Sequence, residues 1–189
     1  MRRRSTAISS MPSPSGTHAF GPENGRLTVH TRKGGAAAKA GHDLVIEVTS
    51  WQGRLHVGDE TTVTLTADAR SMRVREGSGG MTSLGDDDKA NIEQTIDEEV
   101  LKGTSIEFRS TACDPSPEGD RVRVSGELEL AGRRVPITFE LSLNGAQLSG
   151  SAIVKQTDFG MKPYSALFGT LKVLDEVQVA INARLDAAP

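Results

Sequence analysis

Apolar side chains recur at every second position over most of this chain, and that period limits its fold more than any other feature. "RLTVHT" sets Leu27, Val29 and Thr31 on one face and Thr28, His30 and Arg32 on the other. "HDLVIEV" does the same with Leu44, Ile46 and Val48 against Asp43 and Glu47, and "TVTLTADA" with Val63, Leu65, Ala67 and Ala69. The pattern continues through Ile106, Phe108, Ser110 and Ala112, then Val122, Val124, Gly126, Leu128 and Leu130. It ends with Val135, Ile137, Phe139, Leu141 and Leu143, and with Val177, Val179, Ile181, Ala183 and Leu185. A strand shows its successive side chains to opposite faces, so this is the pattern of antiparallel strands wet on one side.

The punctuation fits the same reading. "AGRR" at 131–134 and "NGAQ" at 144–147 are hairpin signals, because Gly and Asn tolerate positive φ. Pro136 supplies no ladder donor and belongs near a strand start or a bulge. The inward register is even over Leu44–Val48 and odd over Trp51–Val57, which predicts a bulge or bend near Gly53. One segment has another period. In "LGDDDKANIEQTIDEEVL", Leu84, Ile92, Ile96 and Val100 recur in multiples of four and Leu101 widens the stripe. Asp86, Asp87 and Asp88 load the start of this amphipathic helix, where the dipole favours negative charge. The spacing of a calcium loop is absent, so the trio is read as capping.

About eight strands and one helix make an all-β chain. Eight antiparallel strands that close into a barrel lose their edges and leave room for one small or slender ligand. The alternative is a two-sheet sandwich, which the lack of a Cys–Trp–Cys pattern weakens for the immunoglobulin type. Residues 1–17, rich in Ser, Pro and Gly, read as a tail, and 18–189 as the barrel domain. Arg2, Arg3 and Arg4 open the chain as a signal peptide does, but no apolar core of about 7–15 residues follows. The expected compartment is therefore the cytoplasm.

Composition narrows the function. Lys and Arg number 22 and Asp and Glu 25, a net charge of -3, which gives no footprint for nucleic acid. Five Phe, one Trp and one Tyr are too few for a base-stacking platform. No apolar run approaches the ~18 residues of an integral membrane segment. Cys113 is the only cysteine, which excludes an internal disulfide and a cysteine-based zinc site. Hydrolase elbows, zinc-protease pairs, phosphate loops and dinucleotide fingerprints are absent. His18, His30, His42 and His56 are scattered, and "EGSGG" at 76–80 reads as a loop. No catalytic residue, metal ligand or cofactor is expected.

What remains is the inward face, which is either a packed core or a tunnel for an apolar chain. Its candidate lining is Leu44, Ile46, Leu65, Phe108, Val124 and Leu128, with Ile137, Phe139, Val179 and Ile181 opposite. The small residues Ala67, Ala69, Ala112, Gly126 and Ala183 favour residual space.

Several strings, taken in order, resemble the YceI-like family: "AGHDLVIEVTSWQGRL", "ADARSMRVREGSGGMTSL", "EVLKGTSIEFRST", "VSGELELAGRRVPITFEL" and "LSGSAIVKQTDFGMKPYSALFGTLKVLDEV". The resemblance runs from about Gly25 to Asp186, and the longer helix and "KPYS" are similar to an actinobacterial-type branch. It implies a lipocalin-like barrel with a helix that binds a long isoprenoid lipid, a quinone tail or a polyprenyl phosphate, without catalysis. It also implies a link to stress and a homodimer. The mouth of such a tunnel would carry His42, Asp43, Lys162, Tyr164 and Ser165, with Lys162 to pair a phosphate and Tyr164 to donate to a quinone oxygen. Two alternatives stay open: a ligand-free structural barrel, and a lipid-modifying enzyme using His42 as base beside Asp43 or Asp158.

Overall fold

The computed structural model describes residues 15–187. The alternating segments form eight long strands. Four of them are bent, so each is a pair of shorter ladders. Strand β1 joins Gly16–Phe20 to Gly25–Thr31, β2 joins Asp43–Val48 to Trp51–Val57, and β3 joins Thr62–Asp68 to Met72–Ser78. After the helical segment come β4 (Ser105–Pro115), β5 (Arg121–Leu130), β6 (Arg133–Asn144) and β7 (Gln147–Lys155). The last strand, β8, is Glu176–Arg184 continued by Asp186–Ala187. Each strand pairs antiparallel with its sequence neighbour, and β8 pairs back onto both halves of β1. The pairing therefore closes into a lipocalin-like barrel, the architecture the alternation predicts.

The bends explain where the inward register changes. In β2 the switch from even to odd falls at Thr49–Ser50, rather than at Gly53. Ser71 holds that corner: its carbonyl accepts from Thr49 N at 3.0 Å and its hydroxyl oxygen from Ser50 N at 3.0 Å. Gly53 has a different task. A Cβ there would lie 2.0 Å from the Phe20 ring, which crosses the strand to meet Trp51 at a centroid distance of 6.1 Å. A second shift, between Ser110 and Ala112 of β4, turns Ala112 out to solvent and sets Cys113 against the core. Ala112 is thus not one of the inward small residues. The half-buried Cys113 thiol is pushed up, chiefly by burial. The tail boundary also moves: Gly16 and Thr17 pair with Val57 and His56, so the barrel begins before residue 18. Of the expected tail, residues 1–14 lie outside the described residues.

Two stretches of the ring lack a neighbouring strand, and each is sealed by other means. The Met72–Ser78 half of β3 pairs with β2 alone. Helix α1 (Asp86–Thr95), extended by a wider π-turn over Ile96–Leu101, covers its open edge. Glu93 Oε1 accepts from Val74 N at 2.7 Å, replacing a ladder bond that a strand would have made. Asp88 Oδ2 accepts from Gly85 N at 2.9 Å, the capping role expected of the acidic trio. On the far side, β7 pairs only with Glu140–Asn144 of β6, and the turn Gln156–Phe159 packs over the remainder. Pro136 lies in this singly paired stretch, where a missing donor is tolerated. No helix among the described residues is long and apolar enough to cross a membrane.

The core is not uniform along the barrel axis. At one end Leu55, Val122, Val124, Leu143 and Leu185 are buried and packed. At the other, inward residues such as Val29, Leu44, Ile137, Val177 and Val179 are only partly buried, because they face a hollow.

Candidate ligand-binding site

The hollow end is a cavity of about 510 Å3, within the ~300–1,000 Å3 range of small-molecule sites. Its wall comes from all eight strands and the helix. The expected lining residues Leu44 and Ile46 of β2, Leu65 of β3, Phe108 of β4 and Leu128 of β5 face it. So do Ile137 and Phe139 of β6 and Val179 and Ile181 of β8. Val124 does not: it is fully buried beneath, cross-strand from Phe139, in the packed base. The helix contributes Ile92, Ile96, Val100 and Leu101. The π-turn carries Ile96, Val100 and Leu101, three of these four wall residues.

Polar groups gather at the open end. A small three-stranded ribbon, Lys33–Gly34, Leu171–Val173 and Ser165–Ala166, crosses the mouth as a flap. Lys33 Nζ donates to the carbonyl of Gly41 at 2.9 Å and to that of Gly79, which ties the flap to the loop after β3. Tyr164 and His42 lie at the mouth. His42 Nε2 donates to the Thr82 carbonyl at 2.6 Å, and since a carbonyl only accepts, that nitrogen carries the proton. Asp43 accepts from Lys33 N at 2.8 Å. Both members of the suggested base pair are thus engaged by backbone groups. Lys162 does not reach the cavity: Met161 takes the inward position, only 8% exposed, and leaves Lys162 in solvent.

Among the polar residues that the motif reading passed over and that line the cavity are Lys172, Gln156 and Thr31. The side-chain ammonium of Lys172 has no ion pair or hydrogen bond among the described residues. Gln156, only 6% exposed, donates through Nε2 to the Leu174 carbonyl at 3.0 Å. Thr31 Oγ1 is buried without a hydrogen-bond partner among the described residues. Thr31 was legible, since it shares the inward register of Leu27 and Val29. Lys172 was not, because its place depends on the pairing of Leu171–Val173 with Lys33–Gly34. The perturbed ionisable groups, Cys113, Arg134 and Asp175, lie outside the cavity lining. No cluster of metal-ligating side chains occurs among the described residues.

The geometry has solved counterparts. BcnA of Burkholderia cenocepacia superposes with a TM-score of 0.62 at 16% identity, over 86% of this chain and 97% of that one. A mutant CJ YCEI protein with a monobromobimane guest gives a TM-score of 0.57 at 10% identity, over 76% and 85%. At these identities the likeness concerns the fold. No curated protein matches the sequence. The family model described as the YceI-like domain matches residues 22–185, nearly the whole barrel. By that match, and with this fold, the chain belongs to the YceI-like domain family.

Proposed function

We propose that this protein binds and carries a long isoprenoid lipid, its tail in the hollow half of the barrel and its head group at the mouth, without chemical change. The observation that carries this reading is the split of the barrel into a packed base and an apolar hollow whose polar groups sit at the open end. Burying one CH₂ is worth roughly 0.8 kcal/mol, so a five-carbon unit contributes about 4 kcal/mol before the cost of ordering the chain. Such a wall holds a tail of repeated apolar units with no directed polar contact, and the mouth sorts head groups. Lys172 offers an unpaired ammonium to a phosphate, and Tyr164 and Thr31 offer hydroxyls to a phosphate or a quinone oxygen. A barrel packed along its whole length would favour a ligand-free structural role, and this hollow speaks against it.

The test is organic extraction of purified protein, followed by loading with a long-chain quinone or a polyprenyl phosphate and mass analysis of what is retained. One chain per barrel is the expected result. Failure to retain either lipid, in a folded protein, overturns the reading.

A further inference from the structure

The flap ends in a turn that no packing argument explains. Leu167, Phe168 and Gly169 follow one another with φ of 51°, 56° and 83°. Left-handed backbone is costly for side chains with a Cβ, and a turn of this kind ordinarily takes Asn and Gly. Here it takes two large apolar residues. Phe168 is 110% exposed and Leu167 57%, so neither offsets the strain by burial. The turn is nonetheless fixed: Thr170 N and Oγ1 donate to the Leu167 carbonyl at 3.2 and 2.6 Å, and Ala37 N donates to the Thr170 carbonyl at 2.8 Å. A rigid tip therefore holds an aromatic ring and a leucine out in solvent beside the cavity mouth. Met81 stands exposed on the loop that His42 and Lys33 anchor at the same mouth.

The flap segments themselves carry charge of one sign. Residues 33–42 and 159–174 contain Lys33, Lys39, Lys162 and Lys172 and no Asp or Glu, in a chain whose net charge is -3. Of the acidic residues that adjoin these segments, Asp43 accepts from Lys33 N and Asp175 from Thr157. Lys39, Lys162 and Lys172 are exposed. Apolar side chains at the tip of a basic surface match the requirements of an anionic bilayer, which attracts lysines and takes Leu and Phe into its interfacial layer. We propose that the Leu167–Phe168 tip and its surrounding lysines dock the barrel mouth onto an anionic lipid surface. The proposal does not depend on what fills the barrel. It gives the mouth a direct path to a bilayer, so that an apolar occupant need not cross water.

The experiment is co-sedimentation of the full chain with vesicles of phosphatidylcholine alone and of phosphatidylcholine with phosphatidylglycerol. Partitioning onto the second kind is expected to be stronger by roughly tenfold or more and to fall with added salt. The double variant Leu167→Asn, Phe168→Gly suits the turn and removes its apolar surface. It is expected to unfold at the same or a higher temperature and to lose binding by roughly tenfold. The pair Lys39→Gln, Lys162→Gln is expected to weaken binding to the anionic vesicles only. A Phe168→Trp variant should shift its emission to the blue on those vesicles. Equal or absent binding of the wild type to the two kinds of vesicle overturns the proposal, as does a tip variant that binds like the wild type. A wild-type dimer that the tip variant dissociates, without vesicle binding, overturns it in favour of a second copy. Tail retention is read separately, by extraction, so loss of one property leaves the other on its own evidence.

Discussion

Phe108 and Phe139 meet inside the barrel with ring centroids 5.2 Å apart and planes inclined by 58°, although strand β5 runs between their strands. The contact exists because the intervening residue is Gly126. A Cβ there would lie 2.6 Å from the tip of the Phe108 ring and 2.3 Å from the Arg109 carbonyl oxygen. Phe108 is buried, and Phe139 faces both its partner and the cavity. Phe139 also stands cross-strand from the fully buried Val124. The pair thus marks the level at which the packed base gives way to the hollow.

Enlarging Phe139 should therefore close the hollow from below. Phe139→Trp is expected to cost about 1–3 kcal/mol of stability, as overpacking does, and to lose retention of a long-chain quinone or polyprenyl phosphate. Lipid extraction from the folded variant, set against the wild type, checks this. Equal retention by a folded Phe139→Trp protein would mean that the tail lies elsewhere.

The helix supplies one wall of the cavity, so its stripe is expected to matter for retention as well as for stability. Ile96 packs against the core while remaining partly exposed to the hollow. Ile96→Ala should then cost about 2 kcal/mol, the low end of the ~2–5 kcal/mol seen for fully buried sites. It should also speed lipid release. Denaturant unfolding and a lipid-exchange assay measure the two effects, and a neutral result in both would place the helix outside the wall.

Much of this architecture is written in the alternation. A period of two with one inward face assigns Leu44, Ile46, Leu65, Phe108, Leu128, Ile137, Phe139, Val179 and Ile181 to the cavity, because register is local once a strand is recognised. Position along the axis is not local. Val124 shares the register of Leu128 yet lies in the packed base, and only the stagger of neighbouring strands separates them. The Thr49–Ser50 corner depends on Ser71, about twenty residues on, and the bulge near Ala112 depends on β5. Lys162 and Lys172 look alike in sequence. The flap pairing brings the second to the mouth, and the inward Met161 sends the first outward.

Asp175 fastens the end of the flap to the turn that seals β6. Its carboxylate accepts from Thr157 Oγ1 at 2.6 Å and from Thr157 N at 2.8 Å. The Thr157 hydroxyl is the main reason its pKa lies below the ordinary carboxylate value, against a smaller opposing effect of burial. A carboxylate with a depressed folded pKa stabilises fully above its unfolded value, about pH 4. That contribution is lost as pH falls through the lower folded value. The gap in melting temperature between wild type and Asp175→Asn should accordingly be constant from neutral pH to about pH 5 and shrink below about pH 4. A gap that persists unchanged into strong acid would show that the Thr157 contacts do not favour the charged form.

His18 offers the sharpest test of the packed base. It is 7% exposed, sits on the inward register two residues before Phe20, and pairs across the ladder with Leu55. Neither ring nitrogen has a hydrogen-bond partner among the described residues. An unsatisfied buried polar group costs about 1–3 kcal/mol, whereas an apolar side chain of similar size in the same place loses nothing. His18→Leu is therefore expected to stabilise the barrel by about 1–3 kcal/mol, read from denaturant midpoints at unchanged slope. Lipid retention should not change, because His18 does not line the cavity. A loss of stability would mean that the imidazole makes a polar contact, and that the base is held by it as well as by packing.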